Sequence, residues 1–152
     1  ALWRAFLGED LSVAIADAEG ELSSAEPDVL ATGEQFTFLG TGWTVGLASE
    51  AALKCREAAQ MWTEAYPAME FRHGPISVIG AGSVVWFFGS APAGLVDELS
   101  GTGGAIVLAP DVDPMALLVR AQRLAVALAA RKGLDPDAPR NLTRSIVLSS
   151  DS

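Results

Sequence analysis

The sequence predicts an α/β fold, an open parallel sheet between layers of helix. Three observations carry that prediction. Short apolar runs alternate along the chain with Ala- and Leu-rich stretches at helical spacing. The run Gln35 to Leu39 stops at Gly40-Thr41-Gly42 and leads straight into such a stretch. The run Ser83 to Phe88 is continuous rather than alternating, as in strands covered on both faces.

Each element has its own signal. Leu11, Ile15, Ala18 and Leu22 recur at helical intervals, an amphipathic pattern that Pro27 and Thr32-Gly33 end. Gln35 to Leu39 is aromatic and β-branched, hence a strand. From Val45 to about Met61, strong helix formers dominate until breaks at Tyr66-Pro67 and His73-Gly74-Pro75. Ser83 to Phe88 is the second strand, Pro92 to Leu99 a short helix, and Ala105 to Ala109 a third buried strand. Asp113 caps the longest helix, Pro114 opens it, and Arg131-Lys132-Gly133 closes it. That helix is apolar nearly all round and is expected to be buried.

Composition narrows the function classes. A length of 152 residues suits one domain with its own core. With 50% hydrophobic and 19% charged residues, the chain is not a disordered segment. Ten basic against 19 acidic side chains, a net charge of −9, argue against nucleic acid as partner. Cys55 is the sole cysteine, so no disulfide framework forms and a reducing, cytoplasmic setting fits. Gly74 to Val96 carries no charge, but glycine, serine and proline interrupt it throughout. Its continuous apolar core is only Val84 to Phe88, so no membrane partner is expected. The chain opens at Ala1 into the apolar cluster Leu2, Trp3 and Phe6, which reads as a cut within a longer polypeptide.

Few residues are placed to do chemistry. Gly40, Gly42 and Gly46 do not have dinucleotide-loop spacing and read as a tight strand-to-helix turn. Glu50, Lys54 and Glu57 share one helical stripe. Such a stripe is either a solvated charge ladder or a carboxylate held at the mouth of a site. In the second case the glutamate moves a proton between adjacent carbons, as aldose–ketose isomerisation requires. His73 sits at a backbone break, suited to single acid–base work because histidine changes charge near neutral pH. A lone histidine builds no metal site, and no cofactor motif is present. Cys55 reads as a small buried residue, and no GxSxG motif marks a serine nucleophile.

The run Glu50-Ala51-Ala52-Leu53-Lys54-Cys55-Arg56-Glu57 resembles the "E-G-A-L-K-L-K-E" helix of sugar-isomerase (SIS) domains. Glu64-Ala65-Tyr66 and Glu70-Phe71-Arg72-His73-Gly74-Pro75 resemble that family's "A-E-A-Y … E-x-K-H-G-P". Gly133 to Leu142 resembles its "G-x-D-x-D-x-P-R-N-L". The likeness runs from about Gln35 to Leu148, nearest to the second SIS domain in the isomerase half of glucosamine-6-phosphate synthases.

That resemblance implies a three-layer α/β/α sandwich with a flavodoxin-like, doubly wound parallel sheet. It implies a phosphosugar aldose–ketose isomerase or aminosugar-phosphate deaminase acting on a hexose or hexosamine 6-phosphate without a cofactor. Glu57 takes the position of the isomerisation base, and His73 that of a ring-opening histidine reaching a neighbouring subunit's site. Glu50 and Lys54 match supporting positions. A preceding SIS domain would hold the phosphate, with Thr41 in the nearest loop of this chain, and the protein would be a homodimer with shared sites. Residues 1–33 become the connection from that domain, 34–133 the SIS domain, and 134–152 a tail folding over the site.

Two departures bear on this. Asn141-Leu142-Thr143-Arg144-Ser145 stands where the synthase has "N-L-A-K-S", and a guanidinium forms no imine with the sugar. Arg144 is instead suited to hold a phosphate or carboxylate. The stretch from Pro92 to Asp113 is also shorter than in the family, so either a loop is missing or the sheet has one strand fewer. The alternative to an isomerase is a phosphosugar-binding module, sensor or structural, that keeps the fold without the chemistry.

Overall fold

The computed structural model describes residues 1–25, 30 and 32–140. Their sheet has four parallel strands: β1 (Gln35–Gly40), β2 (Trp62–Pro67), β3 (Ser83–Phe88) and β4 (Ala105–Val107). The spatial order is β2-β1-β3-β4. Gln35 pairs with Trp62 on one side and Ser83 on the other, and both registers run unbroken to Gly40. The order reverses at β1, the switch point of a doubly wound, flavodoxin-like sheet.

Among the described residues, six helices surround it: α1 (Leu2–Phe6), α2 (Ser12–Ser23), α3 (Thr44–Ala59), α4 (Ala68–Phe71), α5 (Leu95–Ser100) and α6 (Pro114–Arg131). A 3₁₀ turn covers Pro75–Val78. Side chains alternate across the sheet, so each face has its own core. On one face Phe36, Phe38, Val84, Trp86 and Phe88 meet α3 and α6. The helices supply mostly alanines there, Ala48, Ala51, Ala52 and Ala59 on α3 and Ala121 and Ala125 on α6. Small side chains let the helices lie close on the large rings, filling the layer at interior density. On the other face Leu39, Val85 and Phe87 pack with Phe71, Ile79, Leu95 and Leu99. The sandwich has three layers, as expected, but one is built of two long helices and the other of short pieces.

Four expectations need correction. The helix ending at Ala59 turns directly into β2, a strand the sequence did not announce. Gln60, at φ 50, makes the left-handed cap that a glycine usually supplies, so no breaker marks the boundary. Helix α2 forms where expected, but Ile15 and Leu22 face outward at 57% and 59% exposure. Its inner side is instead Ala14 with polar groups: Asp17 accepts from the Asp113 backbone N–H at 2.8 Å, and Glu21 lies 3.6 Å from Arg120. Helix α6 is buried along Leu117, Ala121, Leu124 and Leu128, whereas Val126, Ala127 and Ala130 face outward. Alanines on both sides had disguised an amphipathic helix. Strand β4 is a three-residue, half-buried edge rather than a five-residue buried strand.

The ends of α6 follow the sequence reading. Asp113 accepts from Met115 N at 2.9 Å, Pro114 occupies the first turn, and Gly133 past the end has φ +67. Among the described residues no helix is long and apolar enough to cross a membrane.

Candidate active site

Helix α3 carries the stripe on which the chemistry was expected, and both its ends are held. At its start, a Cβ on Gly40 would lie 2.5 Å from the Thr44 backbone, so only glycine lets the helix begin against the end of β1. Gly42 completes the turn at φ +59. The Thr44 hydroxyl accepts from Thr41 N at 2.8 Å and donates to the Phe88 carbonyl at 2.8 Å, tying α3 across the β1–β3 switch point. At its far end, Lys132 donates to the carbonyls of Ala59 (2.8 Å) and Gln60 (3.1 Å). Thr63 of β2 donates to the Ala52 carbonyl at 2.8 Å, and Arg56 to the Thr63 carbonyl at 3.1 Å.

Glu50, Lys54 and Glu57 do share one partly exposed stripe. The Lys54 ammonium stands 2.9 Å from Glu57 Oε2 and 3.6 Å from Glu50 Oε1. The bond to Glu57 holds the ammonium above the ordinary lysine range. Cys55, one position on, faces the core, where burial pushes its thiol up to about 12. Thiolate chemistry is thereby closed to it.

Thr41 is exposed at the switch-point loop. The amides of Thr41, Thr44, Val45 and Gly46 have partners within the turn. Trp43 stands over the loop at 59% exposure with the Arg4 guanidinium 6.0 Å from its ring centre.

His73 is exposed on the turn after α4. Its backbone N–H donates to the Glu70 carbonyl at 3.0 Å, and Gly74 follows at φ +146. Helix α4 packs through Ala68 and Phe71 into the second core, whereas α3 packs into the first. His73 and Glu57 therefore belong to opposite layers of the chain, a separation that spacing along the sequence did not show. Arg72, just before His73, grips both oxygens of Glu98 of α5 through its Nε–Nη2 edge, with Nε to Oε2 at 3.0 Å, and donates from Nη1 to the Ala93 carbonyl at 3.2 Å. Glu98 gave no signal in the sequence, because its partner is 26 positions away. Arg144 lies outside the described residues, as do positions 141–152 of the expected tail.

The grooves lie elsewhere. One of about 630 Å³ runs between α1 and the starts of α3 and α6, lined by Trp3, Arg4, Trp43, Leu47, Met115 and Leu118. Another of about 490 Å³ lies at the far end of α3, between Glu34, Trp62, Arg131 and Lys132. Neither is lined by Glu50, Lys54, Glu57 or His73. Among the described residues no group of three or more His, Cys, Asp or Glu gathers to hold a metal. The arrangement leaves partly exposed carboxylates on one layer and an exposed imidazole on the other.

No family model matches the chain. The isomerizing glutamine–fructose-6-phosphate aminotransferase of Aeropyrum pernix is 31% identical over 163 aligned positions, covering 89% of this chain and 26% of that protein. The enzyme of the same name from Thermosynechococcus vestitus is 33% identical over 146 positions, covering 76% of this chain and 23% of that protein. The chain thus spans about a quarter of the length of these curated relatives. The crystal structure of glucosamine-6-phosphate deaminase from Thermotoga maritima matches with a TM-score of 0.75 at 25% identity, over 97% of this chain and 53% of that one. Sheet order and these relatives agree: the chain belongs to the sugar-isomerase (SIS) domain family, of the type found in isomerizing glutamine–fructose-6-phosphate aminotransferases.

Proposed function

We propose that this domain is the carboxyl-terminal SIS domain of a phosphosugar aldose–ketose isomerase or aminosugar-phosphate isomerase/deaminase. Its substrate is a hexose or hexosamine 6-phosphate, the class named in its relatives. The observation that carries the reading is the Lys54–Glu57 pair on an open face of a helix fixed at both ends. Lys54 engages Oε2 and thereby orients the carboxylate. Glu57 takes the proton from one sugar carbon and returns it to its neighbour through an enediol. Glu50, on the other side of Lys54, keeps the ammonium from swinging away.

His73 assists ring opening in the site of a second copy, because within one protomer it stands on the opposite layer from Glu57. A homodimer with shared sites follows from this reading. A preceding SIS domain supplies the phosphate cradle, in keeping with the bulky Trp43 exposed beside the Thr41 loop. Residues 1–33 connect to it, and the exposed Leu2, Trp3, Phe6, Ile15 and Leu22 suit a surface that another domain covers. Residues 134–152 form the closing tail, in which Arg144 holds a phosphate or carboxylate, and the setting is the cytoplasm.

The test is proton exchange followed by NMR. The full polypeptide is incubated in deuterated buffer with fructose 6-phosphate, glucose 6-phosphate, glucosamine 6-phosphate and galactosamine 6-phosphate. Exchange at the carbon beside the carbonyl, the first of the ketose or the second of the aldoses, that disappears in Glu57→Gln supports the isomerase and identifies its sugar. Binding without exchange in either protein supports the second reading, a non-catalytic phosphosugar-binding module, which the arginine at the tail-lysine position favours.

A further inference from the structure

We propose that Arg72 is a positioning residue for His73: its guanidinium latches the His73 turn to α5 and fixes the direction in which the imidazole is offered to a second copy. The proposal rests on the reading of His73 as the ring-opening group.

Both sides of the latch stand on rigid ground. Phe71, immediately before Arg72, is fully buried, and so are Leu95 and Leu99 on either side of Glu98. Between these anchors Arg72 makes three contacts: Nε and Nη2 fork onto the two Glu98 oxygens, and Nη1 reaches the Ala93 carbonyl. The bond to Glu98 raises the guanidinium pKa, and its counterpart lowers that of the carboxylate. The backbone leaves room for the fork at Gly94, which has φ +78 and where a Cβ would come 3.3 Å from Arg72 Nη2.

On the other side of His73, the Gly74 carbonyl accepts from Ser77 N at 2.9 Å and from Ser77 Oγ at 2.7 Å. His73 is thus an exposed residue between two fixed points. An exposed ion pair contributes little to stability. A forked arginine–carboxylate pair contributes orientation, because two parallel bonds define a plane as well as a distance. The related motif has lysine at this position, and an ammonium makes no such fork. The contact in this chain is thus an oriented one, beside the one histidine it owns.

The experiment uses the full polypeptide with Arg72→Lys, Glu98→Gln, the exchanged pair Arg72→Glu/Glu98→Arg, and His73→Asn. Two readouts are taken: kcat and KM on the sugar phosphate turned over in the exchange panel, and hydrogen exchange of the amides of His73, Gly74, Ile76 and Ser77. Arg72→Lys and Glu98→Gln are expected to lower kcat about tenfold, leave KM within about twofold, and speed amide exchange. The exchanged pair is expected to recover part of kcat and slow the amides again. Full kcat in Arg72→Lys and Glu98→Gln, beside an impaired His73→Asn, overturns the positioning role alone. Full kcat in His73→Asn overturns the reading of His73 and the proposal with it, as does a panel without turnover.

Discussion

The Lys54 ammonium lies between two carboxylates of its own helix but is closer to Glu57, at 2.9 Å, than to Glu50, at 3.6 Å. A lysine serving only solubility gains nothing from that asymmetry. One that orients a carboxylate oxygen does. Lys54→Met is therefore expected to cut turnover at least tenfold while shifting unfolding stability by less than about 0.5 kcal/mol, since exposed pairs contribute little to folding. Urea unfolding and steady-state kinetics on the same preparation check both halves. A loss of stability matching the loss of rate would mean that Lys54 serves the helix and not the site.

Thr44→Val keeps the shape of the side chain and removes its hydroxyl. The Phe88 carbonyl and the Thr41 amide both lose the partner they have at 2.8 Å. Leaving buried polar groups unpaired costs about 1–3 kcal/mol, so the urea midpoint should fall accordingly. Thr44→Ser, which retains the oxygen, should recover most of it.

Cys55 offers a probe of global opening. Its thiol is fully buried and pushed up to about 12, so a disulfide reagent at pH 8 should leave the native protein unlabelled over the time in which the urea-unfolded protein reacts completely. Rapid labelling of native protein would show that α3 leaves the sheet in ordinary solution.

Acid should release the Arg72–Glu98 latch. The arginine lowers the Glu98 pKa in the folded protein, so the pair's contribution is complete above the ordinary glutamate value of 4.5. It fades as pH falls below that value and is gone once pH is below the lowered folded one. The amides of His73, Gly74, Ile76 and Ser77, with exchange corrected for intrinsic rates, should be protected at pH 6 and lose protection in that acid window. In Glu98→Gln the protection should be weaker at pH 6 and flat across the window.

The sheet was legible wherever residues on both faces had to be apolar. Val84 to Phe88 has that property, Gln35 to Leu39 carries it on its Phe36–Phe38 face, and both lie in fully buried strands. Strand β2 escaped notice because it lies at the sheet edge, with Trp62 exposed, and because Gln60 supplies the turn without a glycine. The α2 pattern had the right period and the wrong face: Asp17 and Glu21 hold it to α6 more directly than its apolar stripe does. Within the site, the shared stripe of Glu50, Lys54 and Glu57 followed from helical geometry. The layer separating His73 from Glu57 did not, because it depends on which way the chain crosses the sheet after β2.

The clamps on α3 have a mechanical consequence. Gly40 and Thr44 fix one end to the switch point, and Lys132, Thr63 and Arg56 fix the other to the chain around β2 and α6. A rod held at both ends neither slides along its axis nor rolls about it without breaking several bonds at once. The glutamates it carries are held still relative to the sheet, so on the proposed reading any motion that admits a ligand has to come from outside that helix.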